Sequence, residues 1–429
     1  MISFSTSYAD YDLGSDYERL ISAIKAESSS GASGYYKLPF DTFALDSALA
    51  YSACEYFSSI TDLVIIGVGG SSLGARALHS ALLHSCKHSA RRVHFLEHTD
   101  PFETKRVLES ISLQHTHFLL ISKSGTTIES ISLVKFLITH FDLLSSANKR
   151  HLACITDSGS PLESFAKAQG LECFTIPANV GGRFSVLSLV GLVPLSLLGL
   201  DIKALLQGAR AMMESFFAGG ERHIINKATF LAKHHKQYPI SVLFSYGSVF
   251  SDMNRWFVQL WGESLGKSLD KGLDSADSSS TQGEGVGLTP VGLVGSIDQH
   301  SFLQLIVQGA RDKVVSFLSL DDACAKACKD SSFVVPEYSL AGLESTDFVN
   351  GTPFLRLLNL QKQATLETLE SCAIPTDSIT LERLDEWHIG ALVVYFELLT
   401  SCTGLLLGVN AYDQPGVEFG KQRLRTYFA

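Results

Sequence analysis

Thr116-His-Phe-Leu-Leu-Ile-Ser-Lys-Ser-Gly-Thr-Thr127 is the stretch that decides the fold class of this chain. Residues 118–121 form an apolar run long enough for a buried strand, and the run stops at a cluster of hydroxyl side chains around Gly125. A helix-like pattern then begins at Ile128. A strand that passes through a turn of small residues into a helix gathers backbone N–H groups and hydroxyls at one point, which suits a phosphate monoester. A serine-rich turn that binds nothing explains this stretch equally well on its own.

The same alternation of short apolar runs and helix-like segments extends along most of the chain. Continuous apolar runs are typical of strands that are buried on both faces of a parallel sheet. We therefore predict an α/β fold with two units, each a mainly parallel sheet flanked by helices. The runs lie at 63–67, 93–96, 118–121 and 152–156 in the first unit and at 240–244, 291–295 and 314–320 in the second.

The predicted organisation has four parts. They are an N-terminal helical and irregular extension at 1–45, a first sheet domain at 46–215, a second sheet domain at 216–395, and a C-terminal segment at 396–429. A loop at 274–287, rich in Ser, Gly and Asp, is either a connector or a mobile segment over a site.

Composition and charge exclude several classes of function. The formal net charge is −10 and the sequence pI is about 5.8, whereas a nucleic-acid surface requires a basic face. The eight cysteines are scattered, which is typical of reduced thiols in a cytoplasmic protein. Residues 1–10 have no signal-peptide pattern. The apolar stretch 184–200 contains Pro194 and three serines, so we predict a buried helix there and no membrane span.

Two motifs with metal-ligand residues are interpreted as structural. Cys324 and Cys328 are four apart and supply half of a zinc site at most, since no fitting Cys or His pair lies nearby. His94-Phe-Leu-Glu-His98 matches a zinc-peptidase pattern that requires a helix, but this stretch is predicted to be a strand. We therefore predict no metal site.

Gly67-Val-Gly-Gly-Ser-Ser-Leu-Gly74 has some features of a dinucleotide-binding turn but fails in detail. Ser72 occupies the position of the third glycine, and no acidic residue lies about 20 positions further on. What remains is a turn with glycine N–H groups and the hydroxyls of Ser71 and Ser72. Ligands of open α/β sheets lie at the carboxyl ends of strands, so this turn and the one at 122–127 together suit a small phosphorylated molecule.

Four other residues suit acid–base chemistry, although each is ordinary when taken alone. Arg183 lies between a glycine pair and a predicted helix, where a guanidinium stabilises an oxyanion well, but a structural arginine is the simpler interpretation. Glu263 is a candidate general base that shares a helix face with Gln259, although a solvated face is the simpler interpretation. His300 and Lys421 are by default a hydrogen-bonded histidine and a surface lysine.

Taken together, six segments resemble the glucose-6-phosphate isomerase family and occur in its order. The last of them is long and specific. The resemblance implies two sugar-isomerase (SIS) domains and reversible conversion of glucose 6-phosphate to fructose 6-phosphate, in glycolysis and gluconeogenesis, without a metal or organic cofactor. The segments are Gly67-Val-Gly-Gly-Ser-Ser-Leu-Gly74, Ser122-Lys-Ser-Gly-Thr-Thr127, Asn179-Val-Gly-Gly-Arg-Phe-Ser185, Gln259-Leu-Trp-Gly-Glu-Ser-Leu-Gly-Lys267, Asp298-Gln-His-Ser301 and Tyr412-Asp-Gln-Pro-Gly-Val-Glu-Phe-Gly-Lys421.

The resemblance also implies a role for each matching residue. Glu263 would move the proton between C1 and C2, Arg183 would stabilise the cis-enediolate, and His300 and Lys421 would assist ring opening. The family is commonly a homodimer in which the histidine comes from the partner subunit, so we expect His300 to act in trans. The implied binding residues are Ser122, Ser124 and Thr127 for the phosphate, with Lys123 and Thr126 nearby, Gly70 and Ser71 for the sugar, and Gln259 and Gln414 as pocket lining.

The chain departs from the family pattern in three ways. The N-terminal region is short, Ser124-Gly125 stands where many members have Thr-Phe, and Leu189 is bulkier than the usual residue. The loss of an aromatic at 125 suggests a wider pocket, so a dual-specificity enzyme that also accepts mannose 6-phosphate is an alternative. A non-catalytic sugar-phosphate sensor is another, but a sensor has no need for a base, an oxyanion partner and a ring-opening pair.

Overall fold

The computed structural model describes residues 2–8, 14–83, 91–268, 285–324 and 333–428. All structural statements below concern these ranges. The strands are β1 (Ile2–Thr6), β2 (Asp62–Ile66), β3 (Arg92–Leu96), β4 (Thr116–Ile121), β5 (Leu152–Asp157), β6 (Glu172–Ile176), β7 (Ile240–Tyr246), β8 (Lys267–Ser268), β9 (Gly285–Val286), β10 (Thr289–Gly295), β11 (Lys313–Leu320) and β12 (Thr376–Leu381).

Helices connect these strands and cover the sheets. The α-helices are α1 (Gly14–Ser30), α2 (Thr42–Ser52), α3 (Leu73–Leu82), α4 (Pro101–Ser110), α5 (Ile128–Phe141), α6 (Pro161–Gln169), α7 (Leu189–Leu197), α8 (Ile202–Phe217), α9 (Arg222–Lys233), α10 (Ser251–Leu265), α11 (Leu303–Gln308), α12 (Phe354–Ser371), α13 (Glu386–Leu407) and α14 (Glu418–Thr426). Short 3₁₀ turns at Gly69–Ser71, Gly182–Phe184 and Ile297–His300 follow strands or precede helices.

The first sheet has the strand order β3-β2-β4-β5-β6, and every neighbouring pair is parallel. β2 and β4 are buried along their whole length, as their continuous apolar runs predict. The crossover connections place helices on both faces, which is how a parallel sheet is shielded from water.

The second sheet has the order β1-β12-β11-β7-β10. Its strands pair in parallel except for β1, which adds to the edge antiparallel to β12. A small antiparallel ladder joins β8 to β9. The two parallel sheets with flanking helices confirm the predicted fold class.

The largest apolar core lies between the two sheets and joins them into one molecule. It contains inward residues of β2 and β4, such as Ile65 and Leu119, together with Leu318 of β11 and Ile379 of β12. Helices α3, α7, α8, α10 and α13 fill the layer between them. Smaller cores cover the outer faces, with α4, α5 and α6 on the first sheet and α11 and α12 on the second.

The predicted buried helix is present as α7, whose residues are all buried. Among the helices that the structure describes, one, α13, is apolar and long enough to cross a membrane, but 89% of its apolar window is buried inside the protein. That burial is typical of a core helix.

His94 lies on strand β3, as predicted, and its ring pairs with Asp62 at 2.9 Å. Among the described residues no group of three or more His, Cys, Asp or Glu side chains is arranged to hold a metal ion. Cys328 and most of the loop at 274–287 lie outside the described residues.

Two features of the fold bear on the predicted domain boundaries. Strand β1, from the predicted N-terminal extension, is an edge strand of the second sheet. The predicted boundary between 395 and 396 falls inside α13. The four-part division remains a prediction.

Candidate active site

Two turns lie side by side at the carboxyl edge of the first sheet. The Gly69–Ser71 turn follows β2, and the turn at 122–127 follows β4. Because β2 and β4 are parallel neighbours, both turns come to the same edge, as the sequence predicts.

The turn at 122–127 presents hydroxyls at the start of α5. Ser122 is buried and its hydroxyl donates to Thr127 Oγ1 at 3.2 Å. The exposed Ser124 Oγ accepts from the backbone N–H of Thr126 at 3.2 Å and from its hydroxyl at 3.1 Å. Thr127 is the N-cap of α5 and makes no side-chain capping bond. The turn therefore offers hydroxyls and a helix N-terminus to an anion.

An aromatic side chain does not fit at position 125 of this turn. The φ of Gly125 is +66°, a left-handed conformation that side chains rarely adopt. A Cβ at this position would lie 2.7 Å from the backbone nitrogen and the Cβ of Leu162. Leu162 of α6 therefore occupies the space into which a side chain at 125 would point.

The side chain of Lys123 is hydrogen-bonded to other residues of the protein. Its ammonium donates to the carbonyl oxygens of Ala178 at 2.9 Å and Val180 at 2.8 Å, and lies 3.9 Å from the Asp157 carboxylate. The lysine therefore ties the turn at 122–127 to the segment that leads to Arg183.

The Gly69–Ser71 turn packs directly against the backbone beside Arg183. A Cβ on Gly70 would lie 2.1 Å from the carbonyl carbon of Gly182, so only glycine fits there. On the other side, a Cβ on Gly69 would lie 2.7 Å from Nε2 of Gln259. Ser71 is partly exposed at the end of this turn.

The sequence interpretation of Ser72 as a ligand-facing hydroxyl is not supported by its contacts. Ser72 is buried, and its hydroxyl donates to Glu97 Oε1 at 2.7 Å. Glu97 also pairs with Arg76 at 2.7 Å. Ser72 is the N-cap residue of α3, and its bond to Glu97, just after β3, holds the turn from the side away from the ligand edge.

Arg183 is buried and makes five hydrogen bonds with described residues. Nε donates to Ser264 Oγ at 2.7 Å, and Nη1 donates to Gln414 Oε1 at 3.0 Å and to Glu263 Oε2 at 3.3 Å. Nη2 donates to the carbonyl oxygens of Ala411 at 2.7 Å and Asp413 at 2.9 Å. The planar fork of the guanidinium therefore joins α10 to the segment at 411–414.

Burial lowers the pKa of Arg183, and the nearby Glu263 carboxylate opposes that shift. The guanidinium stays charged, because an arginine pKa starts far above neutrality. It is thus a fixed, desolvated positive charge in the site.

Glu263 is held on both sides. Gln259, one helical turn earlier on α10, donates to its Oε1 at 3.1 Å, and Arg183 donates to its Oε2. The Glu263 side chain is 31% exposed, so the carboxylate remains accessible from solvent. A carboxylate that is oriented by an amide and a cation, and still accessible, is suited to proton transfer.

His300 lies at the end of the Ile297–His300 turn with an exposed side chain. Its neighbours pin the turn. Asp298 accepts from the backbone N–H of Val294 at 2.7 Å, and Gln299 donates to the Tyr246 hydroxyl at 2.6 Å. The imidazole itself faces solvent in the described chain.

Lys421 lies on α14, and its side chain is exposed. The structure thus brings Glu263, Arg183, Gln259 and Gln414 into direct contact, beside the turn that contains Gly70. His300 and Lys421 lie on separate exposed elements at the surface.

Three residues that sequence reasoning gave no role are built into this cluster. Ser264 accepts from Arg183, and Lys267 donates to the backbone carbonyl of Asp413 at 2.6 Å and to its carboxylate at 2.8 Å. Ser264 and Lys267 belong to the quoted Gln259–Lys267 segment, and Asp413 directly precedes Gln414. The sequence signal that was available is Lys267, which follows the candidate base Glu263 by four residues near the end of a predicted helix.

The profile of the phosphoglucose isomerase family matches residues 51–426. The chain belongs to the phosphoglucose isomerase family. It is 42% identical over 406 residues to a glucose-6-phosphate isomerase of Campylobacter jejuni subsp. jejuni serotype O:2, with 94% of each chain covered.

Solved structures share the fold of this chain. A crystal structure titled as a hypothetical protein from Thermus thermophilus has a TM-score of 0.84 and 33% identity, and the match covers 97% of this chain and 95% of that one. A glucose-6-phosphate isomerase from Chlamydia trachomatis D/UW-3/Cx has a TM-score of 0.73 over 90% of this chain and 72% of its own. At 24% identity, the second match shows the shared fold.

Proposed function

We propose that this phosphoglucose isomerase family member catalyses the reversible isomerisation of glucose 6-phosphate to fructose 6-phosphate through a cis-enediolate. The observation that carries the proposal is the contact of Glu263 with Gln259 and the buried Arg183, next to the Gly69–Ser71 turn. Aldose–ketose isomerisation needs a base for a carbon-bound proton and a cation for the enediolate oxygens. Glu263 and Arg183 supply these two groups.

We assign the proton transfer between C1 and C2 to Glu263. Its contact with Arg183, at 3.3 Å, is the longest of the five guanidinium hydrogen bonds. A developing enediolate oxygen therefore competes most easily for this N–H, while the other four bonds keep the guanidinium in place. Gln259 and Gln414 line the same pocket.

The phosphate group is assigned to the turn at 122–127. The hydroxyls of Ser122, Ser124, Thr126 and Thr127 and the N-terminus of α5 supply donors without a metal. Lys123 contributes from a position fixed by two backbone carbonyls, and Gly70 and Ser71 contact the sugar.

Ring opening is assigned to His300 and Lys421, with the histidine supplied by the partner subunit of a homodimer. Two features support the dimer. The His300 side chain is exposed on a rigid turn and points to no described residue of its own site. Apolar side chains also stand exposed on the segment 333–354, and these are Phe333, Tyr338, Leu340, Leu343, Phe348 and Phe354.

A coupled assay tests this function directly. Purified protein receives fructose 6-phosphate, and glucose 6-phosphate is trapped by its dehydrogenase with NADP reduction as the readout. We expect turnover without added metal or organic cofactor. Tight binding of fructose 6-phosphate without turnover indicates a sensor and refutes the proposal. Formation of fructose 6-phosphate from mannose 6-phosphate at a comparable rate indicates the dual-specificity enzyme. The proposed location of this activity is the cytoplasm.

A further inference from the structure

We propose that Glu27 and Tyr412 are positioning residues that hold the segment 411–414 against Arg183. The inference rests on the proposed isomerase function and extends it to a polar cluster in which Tyr412 is the member that belongs to a matched segment. Neither side chain is proposed to touch the substrate.

The cluster joins three separate parts of the chain. The Tyr412 hydroxyl lies within hydrogen-bond distance of the Glu27 carboxylate on α1 and, at 2.9 Å, of Ser401 Oγ on α13. The Tyr36 hydroxyl donates to the same Glu27 oxygen at 2.6 Å, and the Tyr35 hydroxyl lies 2.9 Å from Ser401 Oγ. The Glu27 carboxylate and the Ser401 hydroxyl thus hold the hydroxyls of Tyr35, Tyr36 and Tyr412.

Tyr412 is placed between the two carbonyl groups that Arg183 uses. Ala411 and Asp413, its neighbours in the chain, both accept from Nη2 of Arg183. The Tyr412 ring also packs against Phe184, with ring centroids 5.4 Å apart. A shift of Tyr412 therefore moves the two carbonyl acceptors of Arg183 and also Phe184, the residue after Arg183.

The N-terminal region also contacts the Asn179–Ser185 segment, which contains Arg183. The backbone N–H of Gly34 donates to the Asn179 carbonyl at 2.9 Å, and the Asn179 amide donates to the Gly31 carbonyl at 3.0 Å. Asn179 is the first residue of the segment that contains Arg183 and Phe184. The stretch 27–36 thus contacts both segments that surround the guanidinium.

The protonation states of Tyr412 and Tyr36 keep their hydrogen bonds to Glu27 in place. Burial, followed by the negative charge of Glu27, raises the pKa of Tyr412 well above its ordinary value. Burial also raises the pKa of Tyr36. Both phenols therefore stay protonated and keep donating to the carboxylate across the physiological pH range.

The test uses three variants of the full-length protein in the coupled assay. Tyr412→Phe keeps the ring and removes the hydroxyl, Glu27→Ala removes the acceptor, and Glu27→Gln retains one acceptor oxygen. We expect Tyr412→Phe and Glu27→Ala to lower kcat about 10-fold with KM changed less than about 2-fold, because the phosphate turn is untouched. Glu27→Gln is expected to recover much of the loss.

Tyr17→Phe is the matched control. Tyr17 is buried on α1, and its hydroxyl has no hydrogen-bond partner among the described residues. We expect its kcat to equal that of the wild type. The double variant Tyr412→Phe/Glu27→Ala should lose no more than the worse single variant, since both changes break one link.

The inference is overturned if the wild type isomerises and Tyr412→Phe keeps its full kcat, or if Tyr17→Phe loses as much. A rise in KM at constant kcat also overturns it, because that pattern indicates weaker substrate binding. Wild-type turnover in the same series decides the proposed function separately. If Glu27→Ala does not fold, the comparison of Tyr412→Phe with Tyr17→Phe decides alone.

Discussion

Arg183 is the residue on which the geometry of the site depends. Its guanidinium uses all five donors of its fork on α10 and on the segment 411–414. The sequence predicted its role from a motif, but a structural arginine was the simpler interpretation of the residue alone. The two interpretations are compatible, because four of the bonds join parts of the chain and one reaches the candidate base. The catalytic role stays a prediction.

Replacement of Arg183 by lysine separates charge from geometry. An ammonium has three donors and no planar fork, so it cannot serve Ser264, Glu263 and two carbonyl groups together. We expect kcat of Arg183→Lys to fall about 10²–10³-fold, the loss typical of one removed oxyanion donor. Steady-state kinetics with a thermal melt as the folding control checks this, and a kcat near that of the wild type would contradict the assigned role.

Sequence reasoning at this scale identified residue types and one contact, but not the partners of Arg183. Glu263 and Gln259 share a helix face by their spacing, so their contact was predictable. The links from Arg183 to Ala411 and Asp413 involve backbone carbonyls more than 220 positions away. No side-chain pattern marks a carbonyl as a partner, so this part required the tertiary structure.

At the scale of helices and strands, prediction was more successful. Apolar runs indicated β2, β4, β7, β10 and β11. Except for the edge strand β10, these strands are largely buried, and strands buried on both faces carry no polar alternation. β1 was missed because Ile2–Thr6 alternates and is followed by polar residues, and only pairing with β12 makes it a strand. Edge strands owe their conformation to a distant neighbour, so local sequence predicts them poorly.

The strand β4 also carries a buried histidine that makes stability pH-dependent. His117 is fully buried, and its Nε2 lies 3.0 Å from the Tyr51 hydroxyl. Burial, with a smaller effect from His151, lowers the pKa of His117 to about 3. The unfolded chain binds a proton near pH 6.5 and the folded chain does not, so this contribution is complete above pH 6.5 and is lost as the pH falls toward 3.

We therefore expect His117→Gln to reduce the loss of stability on acidification. As the pH falls from 6.5 to 5, a buried histidine that stays neutral lowers the free energy of unfolding by about 2 kcal/mol, because the unfolded chain gains a proton. The variant has no histidine at 117 and does not lose this stability. Urea unfolding at pH 7 and pH 5 measures it. His98→Gln, at a side chain that is 55% exposed, is the matched control. Equal pH slopes for the wild type and His117→Gln would exclude this account.

At the scale of the whole molecule, one core joins the two sheets, while two of the assigned catalytic groups lie at the surface. His300 and Lys421 are exposed on different elements, whereas Glu263 and Arg183 lie in contact. A twofold homodimer that brings the partner's turn over the site would complete the group. The residues of one chain do not by themselves predict a second copy, so this expectation came from the family resemblance alone.

Mixed dimers test the supply of His300 in trans. A Glu263→Gln subunit and a His300→Ala subunit are each expected to be inactive. If the histidine crosses the interface, a mixed dimer has one complete site, and random assembly of equal amounts restores about one quarter of the wild-type activity. If both groups act within one subunit, co-expression restores nothing. Size-exclusion chromatography with light scattering verifies the dimer in the same samples.

The central claim is that Glu263 moves the proton between C1 and C2 while other groups hold the sugar phosphate. The most direct measurement compares wild type and Glu263→Gln in turnover of fructose 6-phosphate and in its binding by calorimetry. We predict a kcat lower by about 10²–10⁴-fold, as expected for loss of a general base, with Kd nearly unchanged. Near-normal turnover by the folded Glu263→Gln protein would contradict the account.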